Sequence, residues 1–115
     1  MKFDPLRTYL LQKRGATEEQ PFGPQVLVFK VMGKMFALVA WEETPLSITL
    51  KCDPYDAVAL RKQYQAVQPG YHMNKRHWNT ITLDSTIPND EIWEMIDDSY
   101  ELVVKKLKKA LRQEL

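Results

Sequence analysis

The sequence predicts a two-layer α+β fold, a single antiparallel sheet with helices packed on one face. Three observations carry that prediction. Short runs rich in β-branched and aromatic residues follow one another across tight turns, as antiparallel neighbours do. Two Asp-Pro pairs, Asp4-Pro5 and Asp53-Pro54, and Pro88 followed by Asn89-Asp90 mark three helix starts. The resulting order, α-β-β-β-α-β-β-α, groups the strands into runs, and such runs give an antiparallel sheet whose other face can stay open.

The first helix is predicted from Asp4 as its cap, with Phe3, Leu6 and Leu10 on its apolar stripe and Lys13, Arg14 and Gly15 at its end. Residues 16–25 read as a loop, with Phe22 plugging the edge of the core. Val26–Val31 and Met35–Trp41 are strands joined by the turn Met32-Gly33-Lys34, where Gly33 is free to take positive φ. Leu46–Cys52 alternates cleanly as a third strand. Leu46, Ile48, Leu50 and Cys52 point to the core, and Ser47, Thr49 and Lys51 point away.

The second helix runs from about Pro54 to Tyr64 and buries Ala57, Leu60 and Tyr64. Ala66–Gln68 is an extended piece that can pair with the strand Trp78–Leu83. The last helix opens at Pro88 and keeps its apolar period through Ile92, Trp93, Ile96, Tyr100, Val103 or Val104, Leu107 and Leu111. Acids fill its first half and Lys105, Lys106, Lys108, Lys109 and Arg112 its second, matching the helix dipole. That basic end reads as a solvated helix terminus. Carried through all strands, the alternation puts Lys30, Trp41, Ser47, Thr49, Lys51, Trp78, Thr80 and Thr82 on the open face, which would then be an interaction surface.

At 115 residues and 13.5 kDa the chain, 1–115, is one domain, long enough to bury a core unaided. A net charge of +1 excludes bulk electrostatic attraction to nucleic acid, so any such role must come from a local patch. The single Cys52 cannot form an internal disulfide, which fits a reducing cytoplasm. The N-terminus lacks the apolar core of a signal peptide, and no apolar run suits a bilayer.

The stretch from Pro69 to Leu83 supplies such a patch. It holds both histidines, the Lys75-Arg76 pair, Tyr71 and Trp78, and no carboxylate lies between Ala57 and Leu83. Tyr71 and Trp78 could stack on bases while Lys75 and Arg76 hold phosphates. Alternatively the two rings pack the turn onto the sheet and the charges are solvated. The candidate nucleic-acid contacts are Lys34, Lys51, Tyr71, His72, Asn74, Lys75, Arg76, His77 and Trp78.

Catalytic signatures are lacking. His72 and His77 have no third or fourth ligand of suitable type and spacing nearby for zinc. Cys52 falls on the core-facing side of its strand, where a thiol is inert. There is no glycine-rich phosphate loop and no Gly-x-Ser-x-Gly elbow. The expectation is a non-enzymatic protein without cofactor.

Five stretches resemble the MmcQ/YjbR family: Pro21-Phe22-Gly23; Val28–Val31 with Gly33–Ala37; Leu50–Pro54; Pro69–Lys75 with His77–Thr80; and Ser99–Val103. They run in order along nearly the whole chain, and the string Tyr-His-Met-Asn-Lys…His-Trp-Asn is the most specific. The resemblance implies a two-layer fold akin to type III secretion chaperones and the frataxin-like group. It also implies a small bacterial cytoplasmic protein of a kind labelled DNA-binding, and it supplies no catalytic residues. DNA is therefore one expected partner. The other is a protein or a second copy of the chain, held on the open sheet face.

Overall fold

Met32 (φ 48°) and Gly33 (φ 79°) occupy the two left-handed positions of a two-residue hairpin turn between β2 (Leu27–Val31) and β3 (Lys34–Ala40). β4 (Ser47–Lys51) adds to β3, β6 (Trp78–Thr82) to β4, and β5 (Val67–Pro69) to β6. The computed structural model describes residues 1–115 and shows six strands, all antiparallel, in the order β1-β2-β3-β4-β6-β5. The two-layer α+β architecture expected from the sequence is present.

The extra strand is β1 (Ala16–Glu19), in the segment expected to be loop. Its charged sequence hides it, because an edge strand needs no apolar face and is best blunted with charge. Glu18 pairs with Arg7 of α1 (Phe3–Leu11), and Glu19 with Lys30 of β2. Phe22, expected to plug the core edge, is 64% exposed. Trp41 fills that place instead. Its ring lies 5.7 Å from Phe3, and its indole N–H donates to the Pro24 carbonyl at 2.9 Å. Trp41 thus sits on the helix side and not on the open face.

The first helix starts at Phe3, so Asp4 lies inside its first turn and makes no side-chain cap. It ends at Leu11, earlier than expected, and beyond its end Lys13 pairs with Asp97 of α3 (Asn89–Lys105). The Asp53-Pro54 start holds: Asp53 accepts from the Tyr55 and Asp56 amides, and α2 spans Pro54–Gln63. α3 stops at Lys105, and a short α4 (Lys109–Gln113) follows where one continuous helix was expected. The break lets Leu115 fold back onto the core beside Gly15; a straight helix would carry it past the sheet.

The core lies between sheet and helices. Ile48, Leu50, Ile81 and Leu83 are buried there, in the register expected. In the β2–β3 ladder Phe29 pairs with Ala37 and Lys30 with Met35, so Phe36 is a bulge residue. The bulge turns the Phe36 ring toward α3, where it meets Tyr100 edge-on at 5.3 Å. Ser99, fully buried, joins the layers: its hydroxyl donates to the Phe36 carbonyl at 2.6 Å and accepts from the Lys51 amide at 2.9 Å. Ser99→Ala removes the partner of two backbone groups and should cost about 1–3 kcal/mol. Urea denaturation checks this; a midpoint equal to wild type would show that water takes the place of the hydroxyl.

Candidate functional site

The basic aromatic turn between β5 and β6 is built by local hydrogen bonds. Gly70 packs so tightly on Trp78 that a Cβ at Gly70 would stand 2.7 Å from that of Trp78, and its N–H donates to the Trp78 carbonyl at 2.8 Å. Asn74 accepts the Arg76 amide at 2.9 Å, a side chain closing the turn on its own backbone. His72 takes positive φ (60°), and its ring lies 4.0 Å from the ring of Tyr71. The Tyr71 amide donates to Thr80 Oγ1, which also bonds Thr49 Oγ1 on the neighbouring strand.

The nine candidate residues therefore divide. Tyr71 is 72% exposed, and His72 is exposed beside it. Trp78 is only 8% exposed, so the expected stacking platform is a packing residue. Thr49, also expected on the open face, is buried too. Lys75 donates to the Gly70 carbonyl at 3.1 Å and is engaged in the turn. The His77 carbonyl accepts the Cys52 amide at 2.8 Å, tying the turn to the end of β4. Asn74 is structural. Arg76 and Lys34 are exposed, and Lys51 is half-buried.

Three lysines meet at this end of the sheet. Lys51 stands opposite Trp78 at the end of β4, Lys34 begins β3, and Lys106 follows α3. Burial first, then the charges of Lys106 and Lys34, push the Lys51 ammonium below its ordinary pKa. The ion pairs of the chain are Arg7–Glu18, Lys13–Asp97 and Lys30–Glu19, so none of these lysines, nor Arg76, has a carboxylate partner. Lys106 was read in the sequence as a solvated helix end; no local signal places it beside Lys51.

Arg61 was also missed. From α2 its Nε donates to Asn79 Oδ1 at 2.7 Å, and its Nη2 to the carbonyls of Lys75 and Trp78. Asn79 in turn donates to the Ala57 carbonyl at 3.3 Å. One guanidinium thus fixes the turn against helix and sheet.

A second feature lies on the helix side. α2 and α3 stand apart over β4 and β6 and leave a cleft of about 930 Å³. Leu50 and Ile81 lie along its sheet side, and the bond from the Tyr64 hydroxyl to Glu91 links the two helices at one end. Its walls carry Asp53, Asp56, Glu91, Glu94, Asp98 and Glu101. Four of these recur on α3 at helical spacing, 91, 94, 98 and 101, a stripe visible in the sequence but read only as dipole complementarity. No three His, Cys, Asp or Glu side chains converge as a metal-ligand set.

Cys52 lines this cleft, and burial, then Asp56, Asp53 and Asp98, push its thiol up to about 11. Against a reference of 9.0, the thiolate fraction at pH 8 should be roughly a hundredfold below that of the unfolded chain. Alkylation by iodoacetamide should accordingly be at least about tenfold slower in the native protein than in urea, and should still be rising at pH 10. Equal rates in the two states would show an accessible, unperturbed thiol.

The YjbR family model matches residues 11–102. The uncharacterised protein YjbR of Escherichia coli K12 is 33% identical over 113 residues, covering 98% of this chain and 96% of its own. YbdF of Escherichia coli O157:H7, also uncharacterised, is 39% identical over 89 residues, covering 77% and 73%. The crystal structure of Deinococcus radiodurans protein DR2400 superposes with a TM-score of 0.93 at 41% identity, over 98% of this chain and 86% of that one. The turn, its flanking strands and most of α3 fall inside the matched span, and the protein belongs to the YjbR family.

Proposed function

We propose that this protein is a non-enzymatic binding protein that takes DNA at the basic end of its sheet. The observation that carries the reading is the cluster of Lys51, Lys34 and Lys106 at one end of the sheet, none of them in an ion pair, where burial first and then the charges of Lys106 and Lys34 depress Lys51. Like charges held together raise the free energy of the empty site, and a phosphate relieves that repulsion. Arg76 and the exposed Tyr71–His72 ring pair lie on the turn that Cys52 and His77 fasten beside Lys51, which supports phosphate and base contacts from one surface. No helix is long and apolar enough to cross a membrane.

The other reading, a protein held on the open sheet face, has less support. Trp41 lies on the helix side and Trp78 is buried. The large apolar side chains that stand exposed are Phe22, Tyr55, Val58 and Tyr71, none of them on a strand of that face.

Fluorescence anisotropy with short single- and double-stranded DNA across a salt series tests the proposal, with RNA of the same sequence alongside. Lys51→Ala/Lys106→Ala should flatten the dependence of log affinity on log salt by roughly two units. Tyr71→Ala should weaken single-strand binding by about 1–3 kcal/mol with the slope unchanged. Absence of binding at low salt, or a double variant equal to wild type, would remove DNA as the ligand. Clear preference for RNA would replace it.

A further inference from the structure

The cleft between α2 and α3 lies on the opposite side of the sheet from the open face and has the opposite charge to the lysine cluster. Its volume, about 930 Å³, falls within the range of small-molecule sites. Its lining joins an apolar bed to charged walls in which carboxylates outnumber cations. Leu50 and Ile81 lie on the sheet side, and Leu60, Met95 and Leu102 add apolar wall from the two helices. Across this bed Asp56 of α2 faces Asp98 and Glu94 of α3, and Asp98 is raised above its ordinary pKa first by burial and then by the charges of Glu94 and Asp56. None of the three forms an ion pair. The cations of the lining, Lys51, Lys105 and Arg112, come from the end of β4, the last turn of α3 and α4.

From the apolar bed and these facing carboxylates we infer that the cleft binds a small organic cation, an amine or guanidine carried on an apolar body. The body covers Leu60, Met95 and Leu102, apolar surface that the gap between the helices leaves open to water. The cationic head sits between Asp56 and Asp98 and offsets their repulsion. A cation without an apolar body forgoes the first term, and an anion of the same shape meets repulsion from both walls. Cys52, half-buried in the same wall with a suppressed thiolate, offers no covalent attachment, so the binding is reversible. Lys51 borders both this cleft and the DNA surface, but the apolar bed and facing carboxylates take no part in the DNA reading, and failure of this inference would leave that reading untouched.

The test is an amide NMR titration of the full chain with 4-phenylbutylamine, 4-phenylbutyrate and n-butylamine. The arylalkylamine should saturate with a Kd tighter than about 1 mM, shifting the amides of Ala59, Leu60, Met95 and Leu102 and leaving those of residues 71–77 in place. The matching carboxylate should not bind, and n-butylamine should bind at least tenfold more weakly. Asp56→Asn/Asp98→Asn keeps the shape of both side chains, is expected to fold, and should weaken the arylalkylamine at least tenfold. Amine and carboxylate binding alike, neither binding, shifts scattered over all surface acids without saturation, or a double variant equal to wild type would each overturn the inference. Occupation of the cleft by a basic amphipathic peptide when no amine enters would assign it to a protein partner and overturn it as well.

Discussion

Tyr100→Ala is expected to lower stability by about 3 kcal/mol or more, the largest loss predicted for a single side chain in this protein. Tyr100 stands where three parts of the fold meet. Its ring packs edge-on against the bulge residue Phe36 at 5.3 Å, and its hydroxyl donates to the Arg14 carbonyl at 2.5 Å, tying α3 to the chain entering β1. Truncation opens a cavity under the bulge and leaves that carbonyl unpaired, two losses that add. Tyr100→Phe separates them: the ring stays, the hydrogen bond goes, and the cost should fall to about 1 kcal/mol. Thermal unfolding should show a fall in Tm on the order of 10 °C for the alanine variant and a few degrees for phenylalanine. An alanine variant melting with wild type would place Tyr100 outside the cooperative core.

Much of this arrangement was legible in the residues. Leu46, Ile48 and Leu50 alternate with polar neighbours, and a one-residue slip would expose all three, so the register of β4 and β6 had one answer. The pairing of β5 with β6 and the start of α2 at Asp53-Pro54 were read correctly as well. What failed was decided by tertiary structure. β1 is a strand because β2 offers it an edge, not because Ala-Thr-Glu-Glu favours extension. Trp41 reads as outward by alternation, yet the bulge at Phe36 reverses the parity, so that Ala37 and Val39 face the core and Trp41 follows them toward Phe3. Trp78 is on the expected face and still buried, because the turn folds over it. The candidate DNA surface was half legible: the acid-free run from Ala57 to Leu83 located the turn, but Lys106 joins it from across the sequence. The cleft had a visible signal in the acidic stripe of α3, whose meaning depends on α2 standing opposite.

Arg61→Ala should release the turn without unfolding the domain. The guanidinium bonds Asn79, which is 2% exposed, and the carbonyls of Lys75 and Trp78, so its loss leaves a buried amide oxygen without its donor. That omission should cost about 1–3 kcal/mol. Arg61→Lys keeps the charge but not the planar fork that serves several acceptors at once, so it should recover little. Replacing both partners, Arg61→Met with Asn79→Leu, removes donor and acceptor together and should be milder than the sum of the single changes. Hydrogen exchange separates a turn-specific effect from global weakening. The amides of Gly70 and Cys52, which bond across the base of the turn to Trp78 and His77, should lose protection in Arg61→Ala. Those of β3 should hold theirs. DNA binding then reports the role of the residue. If Arg61 positions the turn, Arg61→Lys should weaken affinity with the salt slope nearly unchanged, because no phosphate contact is lost. A slope flattened by about one unit in Arg61→Ala and restored in Arg61→Lys would instead make Arg61 a direct phosphate ligand.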